Sequence, residues 1–296
     1  MSMGLYLRAS RPKPTCRLAS LIGLLPLISA CATVPLAQTG SLSSYERLAP
    51  TEGFFTDARV TVDKQAILAA KKARIIPTSF AASTKASLSD ADRKVLANAV
   101  DRAVCVGLSD RFQIVSPPQV ADLTVHVSIA GVVPTDETAV AASKVISVGT
   151  SVVTASGIVT TPIPIPSLRV PIGLGGIALE AEAVDPGGNQ MAAMLWARGA
   201  NSFTGKARVS PIGDAYELAS AFGADFSELL VTGADPFTLR LPSLPSMEKV
   251  ASLLGGAPKE AACEAFGRLG ITDMLAGAIG LPPEWTDKGP QVGAGR

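Results

Sequence analysis

Few side chains in this 296-residue sequence can do chemistry, and they are scattered. There are four cysteines and one histidine. With no C-x-x-C spacing and His126 alone, the ligand set of a zinc site is missing, so no metal and no cofactor is expected. Leu123, Val125, Val127 and Ile129 alternate with Thr124, His126 and Ser128, so His126 sits on a strand and points away from its buried face. No serine or cysteine stands at motif spacing to use it, and no G-x-S-x-G occurs. Glu180 and Glu182 share one face of a strand. Paired carboxylates can do acid–base work, but these read as a solvent face that Arg198 on the partner strand neutralises. Gly173-Leu174-Gly175-Gly176 looks like a phosphate loop but runs into a strand rather than a helix. No catalytic residue is expected.

Cys31 is different, because the residues before it define its chemistry. Arg8, Arg11, Lys13 and Arg17 precede an uncharged run from Leu18 to Ala30, and no acidic residue comes before it. A basic start, an apolar run too short to span a bilayer and a small residue before a cleavage point make a secretory signal over residues 1–30. The signal ends Leu27-Ile28-Ser29-Ala30-Cys31, which looks like a lipoprotein signal. The implied chemistry is thiol acylation of Cys31, which becomes the mature N-terminus. Ala32, where an enterobacterial sorting signal would place Asp to keep the chain at the inner membrane, points to the periplasmic face of the bacterial outer membrane.

Composition narrows the partners. The signal holds four of the 26 basic residues, leaving 22 against 25 acidic ones in the mature chain, a net of −3. That argues against nucleic acid, which needs a basic surface, and against electrostatic binding to anionic lipid. Aromatic residues are only 5%, too few for a stacking platform. After Cys16 leaves with the signal and Cys31 is acylated, Cys105 and Cys263 are the two thiols left in an oxidising compartment, and a disulfide between them is expected. The alternative is that Cys105 is simply buried as a small apolar residue.

The elements that must position these residues follow from patterning. Residues 31–52 are small and polar and read as a tether; from Cys31 to Gly40 it reaches at most about 30 Å. An α+β domain is expected over 53–234. Ala58–Val62 alternates as a strand. Ser89 caps a helix with Asp90 and Asp92 in its first turn. The apolar face of that helix is Val95, Leu96, Ala99, Val100, Ala103 and Val106, with Cys105 on the opposite side. Phe112–Val115 is a short strand. Ile177–Val184 and Gln190–Ala200 form a hairpin around Asp185-Pro186-Gly187-Gly188-Asn189. Ser210-Pro211 starts a second helix reaching about Leu230, with Leu218, Phe222, Phe226 and Leu229 inward.

Residues 137–176 interrupt this pattern as an apolar insertion. From Val145 to Leu168 there is no charge, and Val145, Val148, Val152, Ala155 and Val159 recur at helical spacing before four prolines impose an extended path. The bland reading is a helix packed on the sheet plus a crossing loop. The functional reading is a contact surface made by Val145, Val148, Val152, Val159 and Leu168. Residues 235–288 are a proline-broken linker and a C-terminal helical segment, with short helices over Met247–Leu254 and Pro258–Leu269, and 289–296 are a Gly-rich disordered tail. The expected fold is a two-layer α+β sandwich: a mostly antiparallel sheet, two long amphipathic helices on one face and a C-terminal helical appendage.

Several of these pieces resemble a known family in order. Gly40-Ser-Leu42-Ser-Ser-Tyr45-Glu-Arg-Leu48, Ala121-Asp122-Leu123, Gly175-Gly176 leading to Glu180-Ala-Glu182-Ala-Val-Asp185, Gly199, and Pro282-Pro283-Glu284-Trp285-Thr286 are similar to a bacterial lipoprotein family catalogued as domain of unknown function 3313. The resemblance spans roughly 40–290 and implies fold and location, not a reaction. The expected function is a non-enzymatic binding or assembly module, held to the bilayer through acylated Cys31 and partnered with another envelope protein. A carrier of a lipid or hydrophobic small molecule is the second reading and an enzyme the third.

Overall fold

The hairpin at the centre of the sheet is set by its turn. Asp185 accepts hydrogen bonds from the Asn189 backbone N–H at 2.8 Å and the Asn189 side-chain amide at 2.9 Å. Gly188 takes φ +81°, which only glycine adopts without strain. The turn joins β7 (Gly176–Val184) to β8 (Gln190–Gly199). The structure is a computed structural model that describes residues 33–84, 88–141, 173–201, 208–238, 256–287 and 289.

Around that hairpin lie β1 (Ala49–Glu52), β2 (Asp57–Val62), β3 (Lys72–Ile75), β4 (Ser79–Phe80), β5 (Gln113–Ile114) and β6 (Leu123–Val133). They form one 8-stranded sheet in the order β1-β2-β8-β7-β6-β3-β5, with β4 also on β6. From β1 to β6 every pairing is antiparallel. β3–β5, β3–β6 and β4–β6 are parallel. The sheet is therefore mixed, an α+β fold whose antiparallel expectation holds for one half. The reason is a helix: α2 (Asp90–Leu108) lies between β3 and β5 in the chain, and such a crossover returns the chain parallel to itself.

The other helices are α1 (Lys64–Ala69), α3 (Gly213–Thr232), α4 (Ile271–Ile279) and α5 (Pro283–Thr286). The Ser89 cap of α2 forms as expected, and the Asp92 side chain accepts the Ser89 N–H in return, closing a capping box. Its buried side is not the predicted one, however. Asp101, Arg102, Val104, Cys105 and Leu108 are buried beside Leu96, Ala99 and Val100, while Val95, Ala103 and Val106 are only partly covered. The cause is that α2 is covered from more than one side, by α3 and by the C-terminal segment. A Cβ on Gly107 would collide with Ser227, and one on Gly223 would lie 2.6 Å from Ala103, so these glycines let the two helices touch.

One strand face builds the main core. Ile177, Leu179, Ala181, Ala183, Met194 and Trp196 meet Leu96, Val100, Phe222 and Phe226. Trp196 and Phe222 stand edge-to-face with centroids 5.7 Å apart, and the Trp196 indole N–H donates to Asp225 at 2.8 Å. Leu218, Phe222, Phe226 and Leu229 are buried as the pattern of α3 predicts, and Gly233 ends that helix at φ +63°. The helix begins at Gly213 rather than at Pro211; Ser210 uses its hydroxyl to accept the Ile212 N–H at 3.2 Å.

The other strand face carries the largest correction. Residues 33–48 are no free tether. Val34 packs with Ala130, Ala178 and Ala197, and Leu42 packs with Ala193 and Leu195. Residues 49–52 are β1. At the C-terminus a 3-10 helix, Ala261–Phe266, replaces part of the α-helix expected over Pro258–Leu269, because Gly267 turns the chain at φ +75°. The signal over 1–30, Cys31, the contact residues Val145, Val148, Val152, Val159 and Leu168, the Met247–Leu254 helix and all of the 289–296 tail but Gly289 lie outside the described residues.

Candidate functional site

Two places gather polar chemistry, and each holds one end of the chain. The first is the strand pair Glu180 and Glu182, expected to face solvent but 0% and 6% exposed. Their side chains point to the face that residues 33–48 cross. The Glu180 carboxylate accepts the Thr39 N–H at 2.7 Å, the Thr39 hydroxyl at 2.6 Å, the Ser41 N–H at 3.1 Å and the Tyr45 hydroxyl at 3.0 Å. Glu182 accepts the Ser43 N–H at 2.9 Å, the Ser43 hydroxyl and the Gln190 amide at 2.8 Å. Burial of the Tyr45 phenol, with Glu180 beside it, pushes its pKa up. Arg198 cannot neutralise these carboxylates. It alternates with Trp196 onto the helix face, where its charge acts on Asp225, and its guanidinium lies 5.7 Å from the Phe55 ring. His126 is half-buried beside a cavity of about 210 Å³ that Ser41, Leu42, Ile76 and Glu182 also line. The arrangement is a clasp for a peptide segment, with both Glu180 oxygens and one Glu182 oxygen holding it.

The second place is the outer side of the helical layer. Cys105 and Cys263 form a disulfide with Cα atoms 5.7 Å apart and both residues buried. Beside it Arg102 meets Asp287 at 2.6 Å, and the Tyr216 hydroxyl donates to the same carboxylate at 2.7 Å. Burial alone would push the Asp287 carboxyl up, but Arg102 and Tyr216 hold it below the usual range. Burial raises Tyr216 as well. Arg102 and Asn98 both donate to the Phe266 carbonyl, so α2 grips the end of the 3-10 helix. On the far side of α2, Asp101 accepts the Thr78 N–H at 2.9 Å and hydroxyl at 2.6 Å, and burial lifts its pKa to about 6.

Between α2, α3 and residues 256–273 opens a cavity of about 390 Å³. Ala99, Ala103, Gly107, Ala219 and Ala224 make its wall, and their small side chains create the space. Arg208 lines it too, with its Nε on Glu217 at 2.6 Å. This is room for a small, largely apolar molecule. Among the described residues no group of three or more His, Cys, Asp or Glu could hold a metal ion, and no helix is long and apolar enough to cross a membrane. Sequence reasoning reached the disulfide pair. It missed Arg102–Asp287–Tyr216 and the clasp, whose halves Thr39 and Glu180 stand 141 residues apart in the sequence.

The fold is a mixed α+β domain, with residues 33–48 held on the sheet and residues 256–287 held on α2 and α3. Its family follows from the sequence match: the chain belongs to the family described as a protein of unknown function, DUF3313, whose model matches residues 37–226. That span includes most of the 33–48 strap held by Glu180 and Glu182, the sheet and most of α3, and stops before the C-terminal segment. No curated protein matches the chain. Among solved structures it is similar to a PelC dodecamer from Paraburkholderia phytofirmans, at 11% identity over 63% of this chain and 99% of that one, with a TM-score of 0.30. A single-substitution form of the same dodecamer gives 12% identity over 60% and 97%, with a TM-score of 0.31. Scores this low carry no argument about this chain.

Proposed function

We propose that this protein is a lipid-anchored cell-envelope module that works by binding rather than by catalysis. Acylated Cys31 ties it to the periplasmic face of the outer membrane, and its second partner is another envelope protein. The observation that carries this reading is the clasp. Val34 is 5% exposed and already packed on the sheet, three residues after Cys31. An acylated Cys31 therefore lies within about 11 Å of the fold. A domain held that close serves at the bilayer surface, not at reach. The two-layer reading of the fold fits this role, because helices on one face leave the other for the strap.

The uncharged stretch around Val145, Val148, Val152, Val159 and Leu168 is the proposed contact surface. Its bracketing residues are near each other: the Asp136 N–H donates to the Gly173 carbonyl at 2.9 Å. A short linker can thus replace 142–172. Native mass spectrometry of the membrane-extracted protein and of this deletion tests the reading. The expected result is a reproducible protein partner on the full chain, and a deletion that melts cooperatively at a similar temperature but loses that partner. A deletion that unfolds makes the segment core and contradicts the contact surface. The cavity of about 390 Å³ favours the carrier as a second reading. A lipid of constant mass with no protein partner would replace the first reading by that one.

A further inference from the structure

We propose that the sheet end where residue 33 emerges faces the bilayer, and that Phe54 inserts into the lipid interface beside the acylated Cys31. The proposal deepens the anchored-module reading and rests on it. Phe54 is 94% exposed, the most exposed of the large apolar side chains described. It stands in the turn between β1 and β2, whose last pair is Glu52 with Asp57. Phe55 is held in place, edge-on to Phe54 with centroids 4.6 Å apart and close to the Arg198 guanidinium. Among the described residues Phe54 has no such neighbour beyond Phe55, and it projects from a short turn closed by the Gly53 N–H on the Thr56 carbonyl at 2.9 Å.

Register fixes which end of the sheet this is. Asp57 pairs with Ala197, Ala197 with Ala178, and Ala178 with Gly131, one row across β2, β8, β7 and β6. Beyond that row lie Phe54, Gly199, Gly176 and Val133 together. Val34 sits at the same end: a Cβ on Gly176 would collide with it. β2 and β7 are two strand spacings apart, about 10 Å. The chain from Val34 back to Cys31 adds at most about 11 Å. Acyl chains on Cys31 must lie in the hydrocarbon, so this sheet end is drawn to the headgroups and Phe54 is carried with it. Aromatic rings are well suited to that interface. Among the described residues the exposed charges at this end, Asp57, Asp136 and Glu137, are acidic, and the partly covered Arg198 is taken up beside Phe55 and Asp225. Insertion is therefore apolar and does not depend on attraction to anionic lipid, in keeping with the net charge of the mature chain.

The test uses the full mature chain, its acylation confirmed by intact mass, in vesicles of phosphatidylethanolamine and phosphatidylglycerol with brominated acyl chains. The reporter is Phe54→Trp, read against the parent, whose Trp196 is buried and whose Trp285 supplies the background. The expected result is blue-shifted emission from position 54 and quenching by brominated lipid roughly twofold or more above the parent. Neither should change at about 0.5 M salt. Water-like emission with parental quenching, in acylated protein, overturns the insertion and leaves the anchor standing. A blue shift that appears without vesicles and grows with protein concentration assigns Phe54 to a second copy and also overturns it. A chain found without acyl groups overturns the anchor reading, and the insertion falls with it.

Discussion

The two ends of the chain cross different layers of the same core and are held by different chemistry. Residues 33–48 lie on the open face of the sheet, fixed by main-chain and hydroxyl donors to Glu180 and Glu182 and by Val34 and Leu42. Residues 256–287 lie on α2 and α3, fixed by a disulfide and by the buried Arg102–Asp287 pair. The strap can peel off without opening the main core, because its contacts sit on the opposite strand face from Trp196 and Phe222. The C-terminal segment cannot, because Cys263 belongs to the same core cluster as Cys105 and Leu108. The hold on residues 33–48 thus lies outside the main core cluster, and the hold on residues 256–287 belongs to it.

The largest effect should come from breaking the covalent hold. Cys263→Ala opens a loop whose ends are 158 residues apart in sequence, worth up to about 5 kcal/mol in the chain-entropy model. Denaturant midpoints under oxidising conditions should fall accordingly, and residues 261–287 should lose hydrogen-exchange protection while the strap keeps its own. Loss of protection in both together would mean that the two holds are one unit.

Next is the ion pair. Asp287→Asn leaves the buried Arg102 without its counter-charge, a cost of about 3–5 kcal/mol. Because the folded-state pKa of Asp287 lies below its ordinary value, its stabilisation is complete above the ordinary range and is lost as pH falls through the folded value. Asp101 has the opposite sign. With its pKa raised to about 6, the folded state holds its proton longer and stability drops as pH rises from the ordinary carboxylate range to about 6. Asp101→Asn keeps the Thr78 bonds and should raise stability at neutral pH by at most about 3 kcal/mol. Melting curves between acid and neutral pH read both. A common sign for the two substitutions would contradict this assignment.

The smallest effect belongs to the strap. Glu180→Gln turns an oxygen that accepts donors into an amide that faces them, and should cost about 1–3 kcal/mol. The Thr39 and Ser41 amides should lose exchange protection while β7 and β8 keep theirs. Global unfolding in the same experiment would show that the strap is not separable.

What the sequence makes legible is local. Asp185 to Asn189 announces its turn, Ser89 its cap, and Leu218, Phe222, Phe226 and Leu229 their face. The two remaining thiols point to each other by elimination. The strap is illegible because its residues carry no periodicity; Thr39, Ser41 and Ser43 look like linker until Glu180 and Glu182 are known to face them. Burial of Asp101 and Arg102 is illegible for the same reason, since their partners Thr78, Tyr216 and Asp287 come from distant parts of the chain. β3 hides among Lys71, Lys72 and Arg74, β4 is only Ser79 and Phe80, and their parallel pairing exists only once α2 has returned the chain.

The account stands on Cys31. The direct measurement is intact-mass analysis and metabolic palmitate labelling of the membrane-extracted protein expressed from the full sequence, beside Cys31→Ala. The account predicts a mature chain that begins at Cys31 and carries acyl groups, and a variant that loses the label and leaves the membrane fraction. A mature N-terminus elsewhere, or a variant labelled and retained like the parent, would contradict it.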